Sequence, residues 1–342
     1  MGISEIVMWI GFTLAAYSVV GNDVIQTLGT FLTSNERRVK WYVLWAYAGG
    51  LMSLILIIGY LGYGNSLGLG GDDIAFDRLD KINIPETLSW HYVLPPLVLM
   101  LLTRIGIPVS TTFMILTFFS LKSLGGMVQK SLMGYLIAFI VAIVIYMIIT
   151  RVTEKKFMEI PLNGDKSNGL WTNERFWITA QWFSTGFLWS QWLTQDLANI
   201  YVYLGKDDMS VTSFVASLVI LVGLLGYIFY QRGGRIQDIV RSKSNTGDIR
   251  SATFVDLIYG IVLLVFKQDV MGLWDEKLPM STTWVFIGLL AGRELAIAYR
   301  LDQKIERSEL KGIGMDLFKV FLGLVVSVLL VYLMRFLIDM PG

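Results

Sequence analysis

Pro108-Val109-Ser110-Thr111-Thr112 and Pro279-Met280-Ser281-Thr282-Thr283 are the strings on which the reading of this chain turns. They begin 279 − 108 = 171 positions apart, half of the 342 residues. Each follows a branched apolar residue, Ile107 or Leu278, and each runs directly into an apolar stretch. A motif recurring at half the chain length marks a duplicated architecture. The repeated unit sets a proline and three hydroxyls at the mouth of a buried helix. Proline costs no hydrogen bond there, and the free amides of the first turn attract anions.

A second pair lies at nearly the same spacing. Asn22-Asp23 and Gln195-Asp196 are 196 − 23 = 173 positions apart, and Gln26 and Asn199 each follow the aspartate by three. The pattern is amide-Asp-x-x-amide in both halves, each inside an apolar segment. An aspartate near the centre of a membrane helix costs roughly 2.5–3.5 kcal/mol on insertion scales, so it does not persist facing lipid. A carboxylate beside loosened carbonyls suits a sodium ion or a transferable proton. The plainer readings are half-helix caps for the aspartates and ordinary Ser/Thr caps for the hydroxyls. Two matched copies of each motif weigh against both plainer readings, because inverted-repeat transporters place substrate and coupling ions on broken helices at the midplane.

Composition fixes the solvent. The chain is 54% hydrophobic and 16% charged, too apolar for a soluble domain of this length. Trp41–Tyr63, Ser131–Thr150, Val211–Tyr230 and Leu317–Ile338 each supply the ~20 apolar residues of a crossing. The first apolar segment has no small-residue cleavage site after it and reads as part of the bundle. With no cysteine there is no disulfide or thiolate, and the single histidine, His91, excludes any site needing two imidazoles. Loops 33–40 and 232–250 are rich in Lys and Arg, whereas loop 64–89 is acidic. The first two are therefore expected inside and the third outside.

These cues predict an all-α polytopic membrane protein of two inverted-topology repeats, 1–150 and 174–342, joined by a cytoplasmic linker, 151–173. Each repeat has three crossings, one of them a broken helix, plus a re-entrant helical hairpin. The hairpins are placed at His91–Leu121 and about Ala252–Ala291, and both termini lie outside. Lys122 and Lys130 fit this topology less well, since it leaves them outside. Arg293-Glu294 and Glu174-Arg175 read as interfacial ion pairs, Arg104 as a snorkelling cation, and Trp41, Trp45, Trp171 and Trp177 as interface anchors. Trp189 and Trp192, close to Asp196, read as packing. The Gly-rich stretch 66–71 lacks the strand–helix context of a phosphate loop.

With both motif pairs in hand, the chain resembles the inorganic phosphate transporter (PiT) family. That family carries Gly-x-Asn-Asp-x-x-Asn and a Leu-Pro-Val-Ser-Thr-Thr-like turn in each half. The matching stretches are Gly21-Asn22-Asp23-Val24-Ile25-Gln26, Gln195-Asp196-Leu197-Ala198-Asn199 and the two hydroxyl strings, with further likeness at Glu174-Arg175-Phe176, Gln181 and Gly233-Gly234-Arg235-Ile236-Gln237-Asp238. The resemblance covers roughly residues 4–337. It implies secondary active transport of inorganic phosphate by alternating access, driven by sodium or protons, at a plasma (inner) membrane. Asn22, Gln195, Ser110, Thr111, Thr112, Ser281, Thr282 and Thr283 would bind the anion. Asp23, Asp196, Gln26 and Asn199 would handle the coupling ion, with the two aspartates on sodium if sodium is that ion. Beyond that sodium no cofactor is expected, and no nucleic acid; the partners are the oxyanion, the bilayer and, as an open expectation, further copies of the chain. Departures are Gln195 and Gln26 where the family usually has Asn, and Phe113 and Trp284 where a His commonly follows Ser-Thr-Thr. They leave sulfate or another oxyanion, and a non-transporting receptor or complex subunit, as alternatives. Two aspartates could do acid–base work, but an enzyme would leave the duplicated cradles without purpose, so no enzyme is expected.

Overall fold

The computed structural model describes residues 2–105, 110–149, 162, 169, 171–205, 209–232, 248–268, 275, 277–300 and 307–338. The first hairpin turn (106–109), the Arg104 side chain, most of the linker 151–173 and most of the basic loop 232–250 lie outside these residues. Among the described residues the chain is all-helical. In order come α1 (Ile3–Val19), a π-helical turn (Val20–Val24), α2 (Ile25–Asn35), α3 (Trp41–Tyr60), a short 3-10 turn (Trp90–Val93) and α4 (Leu94–Ile105). After them stand α5 (Thr111–Phe119) and α6 (Leu124–Ile149). The second half holds α7 (Glu174–Asp196), α8 (Ala198–Tyr201), α9 (Val211–Tyr230), α10 (Ile249–Lys267), α11 (Thr282–Arg300) and α12 (Arg307–Ile338).

Among the described residues, five stretches are long and apolar enough to cross a membrane: Ile3–Val24, Trp41–Tyr60, Leu121–Ile148, Val211–Tyr230 and Ile249–Lys267. Their lipid-ready faces carry exposed Leu, Ile and Val, such as Leu136, Ile140, Val144 and Ile148 along α6. The protein is an integral membrane protein.

Side-chain contacts orient the helices. Trp41 meets Tyr230 with ring centroids 5.5 Å apart, and Tyr60 stacks on Phe214 at 4.2 Å, so α3 and α9 run antiparallel. One end of the bundle therefore carries loop 36–40 and the close of α9; the other carries the acidic loop 61–89. Helix α1 starts at the acidic-loop end, where the Ser4 hydroxyl accepts from Leu88 N (2.9 Å). Helix α7 starts at the basic end, where Arg38 pairs with Glu174 (2.9 Å). That pair corrects the expectation of a Glu174-Arg175 ion pair: Arg38 closes the gap between α2 and α7.

The packing is paired across the halves. Helix α4 lies on α1 as α10 lies on α7, and α11 lies on α6 as α12 lies on α5, where Arg335 donates to the Phe118 carbonyl (2.9 Å). The closest of these contacts is made by glycines. A Cβ on Gly288 would stand 2.4 Å from the Tyr135 carbonyl oxygen, and one on Gly292 would stand 2.3 Å from that of Phe139. Without water to expel, membrane helices gain by such close backbone approach, and small residues four apart permit it.

Three expectations need correction. The second hairpin does not match the first. Helix α10 has 19 residues, ~28 Å at 1.5 Å each, and runs from the basic end to the acidic-loop end. No proline interrupts it, so its apolar run continues past the depth at which α4 stops after 12 residues. Lys130 is not a loop charge: it is buried on α6, and its ammonium donates to the carbonyls of Asp275 (2.8 Å) and Leu278 (2.7 Å). Trp177 is only 4% exposed and stacks on Trp171 (5.7 Å), so it packs inside a small cluster with Ile249 instead of anchoring an interface.

Candidate functional site

Gly21-Asn22-Asp23 falls within the π turn, Val20–Val24. A π turn widens the helix by one residue and loosens its carbonyl ladder, and such turns recur at functional sites. Here it turns Asn22 and Asp23 into the protein, where both are buried. In the second half the break is slighter. Helix α7 ends at Asp196, Leu197 keeps helical angles, and Ile200 N bonds to the Leu197 carbonyl (3.0 Å) in a tightened turn before Tyr201. Neither segment unwinds into a fully broken helix; each departs from regular α-helix beside its aspartate.

Both hydroxyl strings meet Asp23, and the second also meets Asp196. The Thr111 hydroxyl donates to Asp23 Oδ2 (2.5 Å), and Thr283 also reaches the Asp23 carboxylate. Thr282 faces Asp196, whose Oδ1 accepts from Asn199 Nδ2 (3.0 Å). The same Asn199 amide donates to Thr111 (3.3 Å) and Thr112 (3.2 Å), tying the second kink to the start of α5. Thr112 in turn donates to the Met280 carbonyl (3.4 Å), joining the two strings directly. Asn22 donates to Asp23 Oδ1 (2.8 Å) and accepts from Gln26 (3.5 Å). Ser110 takes the plainer role: its hydroxyl caps α5 by accepting from Phe113 N (3.4 Å). Ser281 sits against Ser131, whose hydroxyl accepts from Ser281 N (2.9 Å).

Helices α5 and α11 thus both begin at this centre, with the positive ends of their dipoles at it. All nine residues of α5 are buried, as suits a helix surrounded by protein. Phe113 and Trp284, the residues after each string, meet edge to face at 6.1 Å and line the centre with ring instead of imidazole. Tyr259 adds a hydroxyl that sequence reading did not single out; it donates to the Thr282 carbonyl (3.0 Å). Trp189 and Trp192 stack at 5.0 Å, with Trp189 donating to the Ala48 carbonyl, as packing predicts.

The donor and acceptor ledger does not close among the described residues. Among them, both amide atoms of Gln195, Asp196 Oδ2, Asn199 Oδ1 and the Ser281 hydroxyl are buried without a hydrogen-bond partner. The two aspartates also lie close enough to repel, and their described partners are neutral hydroxyls and amides. The oxygens of Asp196, Asn199 and Gln195 fit a hard cation such as sodium, while the Gln195 amide and Ser281 hydroxyl are donors for an anion.

A third buried aspartate escaped the sequence reading. Asp256, fully buried on α10, accepts from Thr30 (2.5 Å), Thr185 (2.5 Å) and Gln181 (3.4 Å). Gln181 accepts in turn from Asn35 (2.7 Å), whose Oδ1 takes the Trp182 indole (3.2 Å). The signal was one carboxylate inside the apolar run 252–266. Elsewhere, Arg293 is buried, donating to Ser251 (2.8 Å) beneath the Tyr146 ring, while Glu294 beside it is exposed.

Comparison with protein-family models, with characterised proteins and with solved structures finds no match.

Proposed function

We propose that the chain is a secondary active transporter that carries inorganic phosphate, coupled to sodium or protons, through the centre between Asp23, Asp196 and the two Ser-Thr-Thr strings. The observation that carries this reading is the set of stranded polar atoms on Gln195, Asp196, Asn199 and Ser281. Leaving a buried donor or acceptor unmade costs about 1–3 kcal/mol each, so the cluster is stabilised by a polar guest. Because the set mixes acceptors with donors and adds two mutually repelling carboxylates, it suits a cation together with an oxyanion better than either alone. The resemblance to the phosphate transporter family adds the identity of the anion.

Two inverted repeats complete the proposal. The paired contacts of α1 with α4 and α7 with α10, and of α6 with α11 and α5 with α12, support it. Helices α5 and α11 leave the centre toward opposite ends of the bundle, which is what alternating access between two faces requires. We place the protein in the plasma (inner) membrane with the acidic loop and both termini outside.

Purified protein in liposomes is expected to accumulate radiolabelled phosphate under an inward sodium or proton gradient. Asp23→Asn combined with Asp196→Asn should abolish that accumulation; undiminished uptake in the double variant would sink the coupling role. A competition panel with sulfate and other oxyanions identifies the substrate, since Phe113 and Trp284 give the centre no titratable ring with which to prefer phosphate. Absence of any oxyanion uptake, with a partner co-purifying at fixed stoichiometry, would replace transport by the complex-subunit reading.

A further inference from the structure

The basic end of the bundle holds a cavity of about 340 Å³, between the loop that joins α2 to α3 and the close of α9. That volume lies in the range of small-ligand sites. Its lining mixes cations with apolar groups: Arg37, Arg38, Lys40 and Arg232 stand around Trp41 and Phe229. Arg38 is committed, since its Nε donates to Glu174 (2.9 Å). Glu36 is the one carboxylate among the described lining residues. Setting both carboxylates against the four cations leaves an excess of two. The sequence after α9 does not cancel it, because 233–247 contains Arg235, Arg241 and Lys243 against Asp238.

The backbone favours an anion here as well. Helix α3 opens at Trp41 with no side-chain cap and no acidic residue in its first turn, so its leading amides have no side-chain acceptor. Arg232 follows the α9 cap at φ +53°, the left-handed region where glycine is the usual residue, so an arginine stands there despite a backbone cost. The surroundings are those of a membrane surface. Trp41 and Tyr42 line the cavity with exposed rings, Lys40 stands over Tyr42 (5.8 Å to the centroid), and Tyr230 meets Trp41 at 5.5 Å. Such rings sit at the headgroup level of a bilayer. Beyond them exposed apolar side chains continue along both crossings, Leu54 and Ile57 on α3, Val215 and Val219 on α9. A matching ligand is anionic at one end and apolar at the other. Free phosphate would use the cations and leave the apolar track unused.

We propose that this cavity binds the headgroup of an anionic phospholipid, its phosphodiester held by Arg37, Lys40 and Arg232 and its acyl chains laid along α3 and α9. Guanidinium groups suit the part because each can meet two phosphate oxygens at once. Binding here stands apart from the transport reading and needs only the bilayer. The lipid joins loop 36–40 to the close of α9, one element from each half of the chain. Arg38, through Glu174, already holds the same loop to α7, so the lipid fixes its other side.

Trp41 supplies the reporter. Full-length protein in phosphatidylcholine nanodiscs is titrated with phosphatidylglycerol brominated on its acyl chains, which quenches an indole it touches. Saturable quenching at low lipid content is expected, and Trp41→Phe should remove that component. Brominated phosphatidylcholine should quench only in proportion to its content. Arg37→Gln and Arg232→Gly should each raise the half-saturating content about fivefold. Arg37→Lys, which keeps the charge, should retain most of the affinity. Arg232→Gly does not threaten the fold, because glycine suits φ +53°, and its unfolding midpoint should not fall. Arg175→Gln removes an exposed cation at the same end but outside the cavity, and should change the quenching little. Equal quenching by the two lipids would overturn the proposal, since no headgroup is then selected. So would an Arg175→Gln effect equal to that of Arg37→Gln and Arg232→Gly, which reduces the site to a general surface field. Release of the lipid by millimolar inorganic phosphate would overturn it too, by assigning the cavity to the free anion.

Discussion

Asp256 shows what one buried carboxylate demands of its neighbours. Thr30, Thr185 and Gln181 reach it from α2 and α7, so three helices are joined at one residue. Asp256→Ala strands those donors, each worth about 1–3 kcal/mol if nothing replaces the carboxylate. The threonines can turn back to their own helix carbonyls, which lowers the expected total to about 2–3 kcal/mol. Asp256→Asn, which keeps one acceptor, should cost less. Unfolding midpoints in detergent check this; a loss under ~0.5 kcal/mol for Asp256→Ala would mean that the carboxylate does not hold α2 and α7 to α10. The sequence concealed this residue for a definite reason. Asp23 and Asp196 announced themselves by matching flanks at half the chain length, whereas counting back 171 from Asp256 gives Pro85. Duplication reveals only what was duplicated.

At the scale of helices, the contact of α6 with α11 positions the centre. Helix α11 begins with Thr282-Thr283, which face Asp196 and Asp23, and it is held at backbone distance by Gly288 and Gly292. Gly288→Ala or Gly292→Ala must push α11 off α6, because the atom met is a backbone carbonyl that cannot swing away. Each is expected to destabilise by about 1–3 kcal/mol and to reduce phosphate uptake further than stability explains, since the threonines move with the helix. Gly223→Ala, on a face of α9 with nothing within 4 Å, is the control, expected to be neutral or slightly stabilising. Equal effects at Gly288 and Gly223 would discard the close-packing account. The Gly-x-x-x-Gly spacing stands in the sequence, but only the fold names its partner helix. The crossings at Trp41–Tyr60 and Val211–Tyr230 were legible because composition alone dictates them. The length of α10 was not, because its partners on α7 decide how far the helix runs.

The whole molecule is polar from end to end. Loop 36–40 carries Arg37, Arg38 and Lys40 at one end, and the other end carries Asp72, Asp73, Asp77 and Asp80. Much of that second set is committed locally. Asn65 donates to Asp72 from its backbone and side chain and holds that carboxyl below the usual range, while Lys277 bridges Asp77 and Asp80 and is raised by them. The proposed orientation therefore rests on the Lys and Arg of the first end, because such residues translocate poorly. Lys130, which seemed to weaken this assignment, is buried between α6 and the loop before α11 and takes no part in it. Leu67→Cys, at an exposed tip of the acidic loop, should react with an impermeant maleimide on intact cells. Arg37→Cys should react only after the membrane is opened. The reverse pattern would invert the protein, because nothing but the Lys and Arg of loop 36–40 argues for which end stays inside.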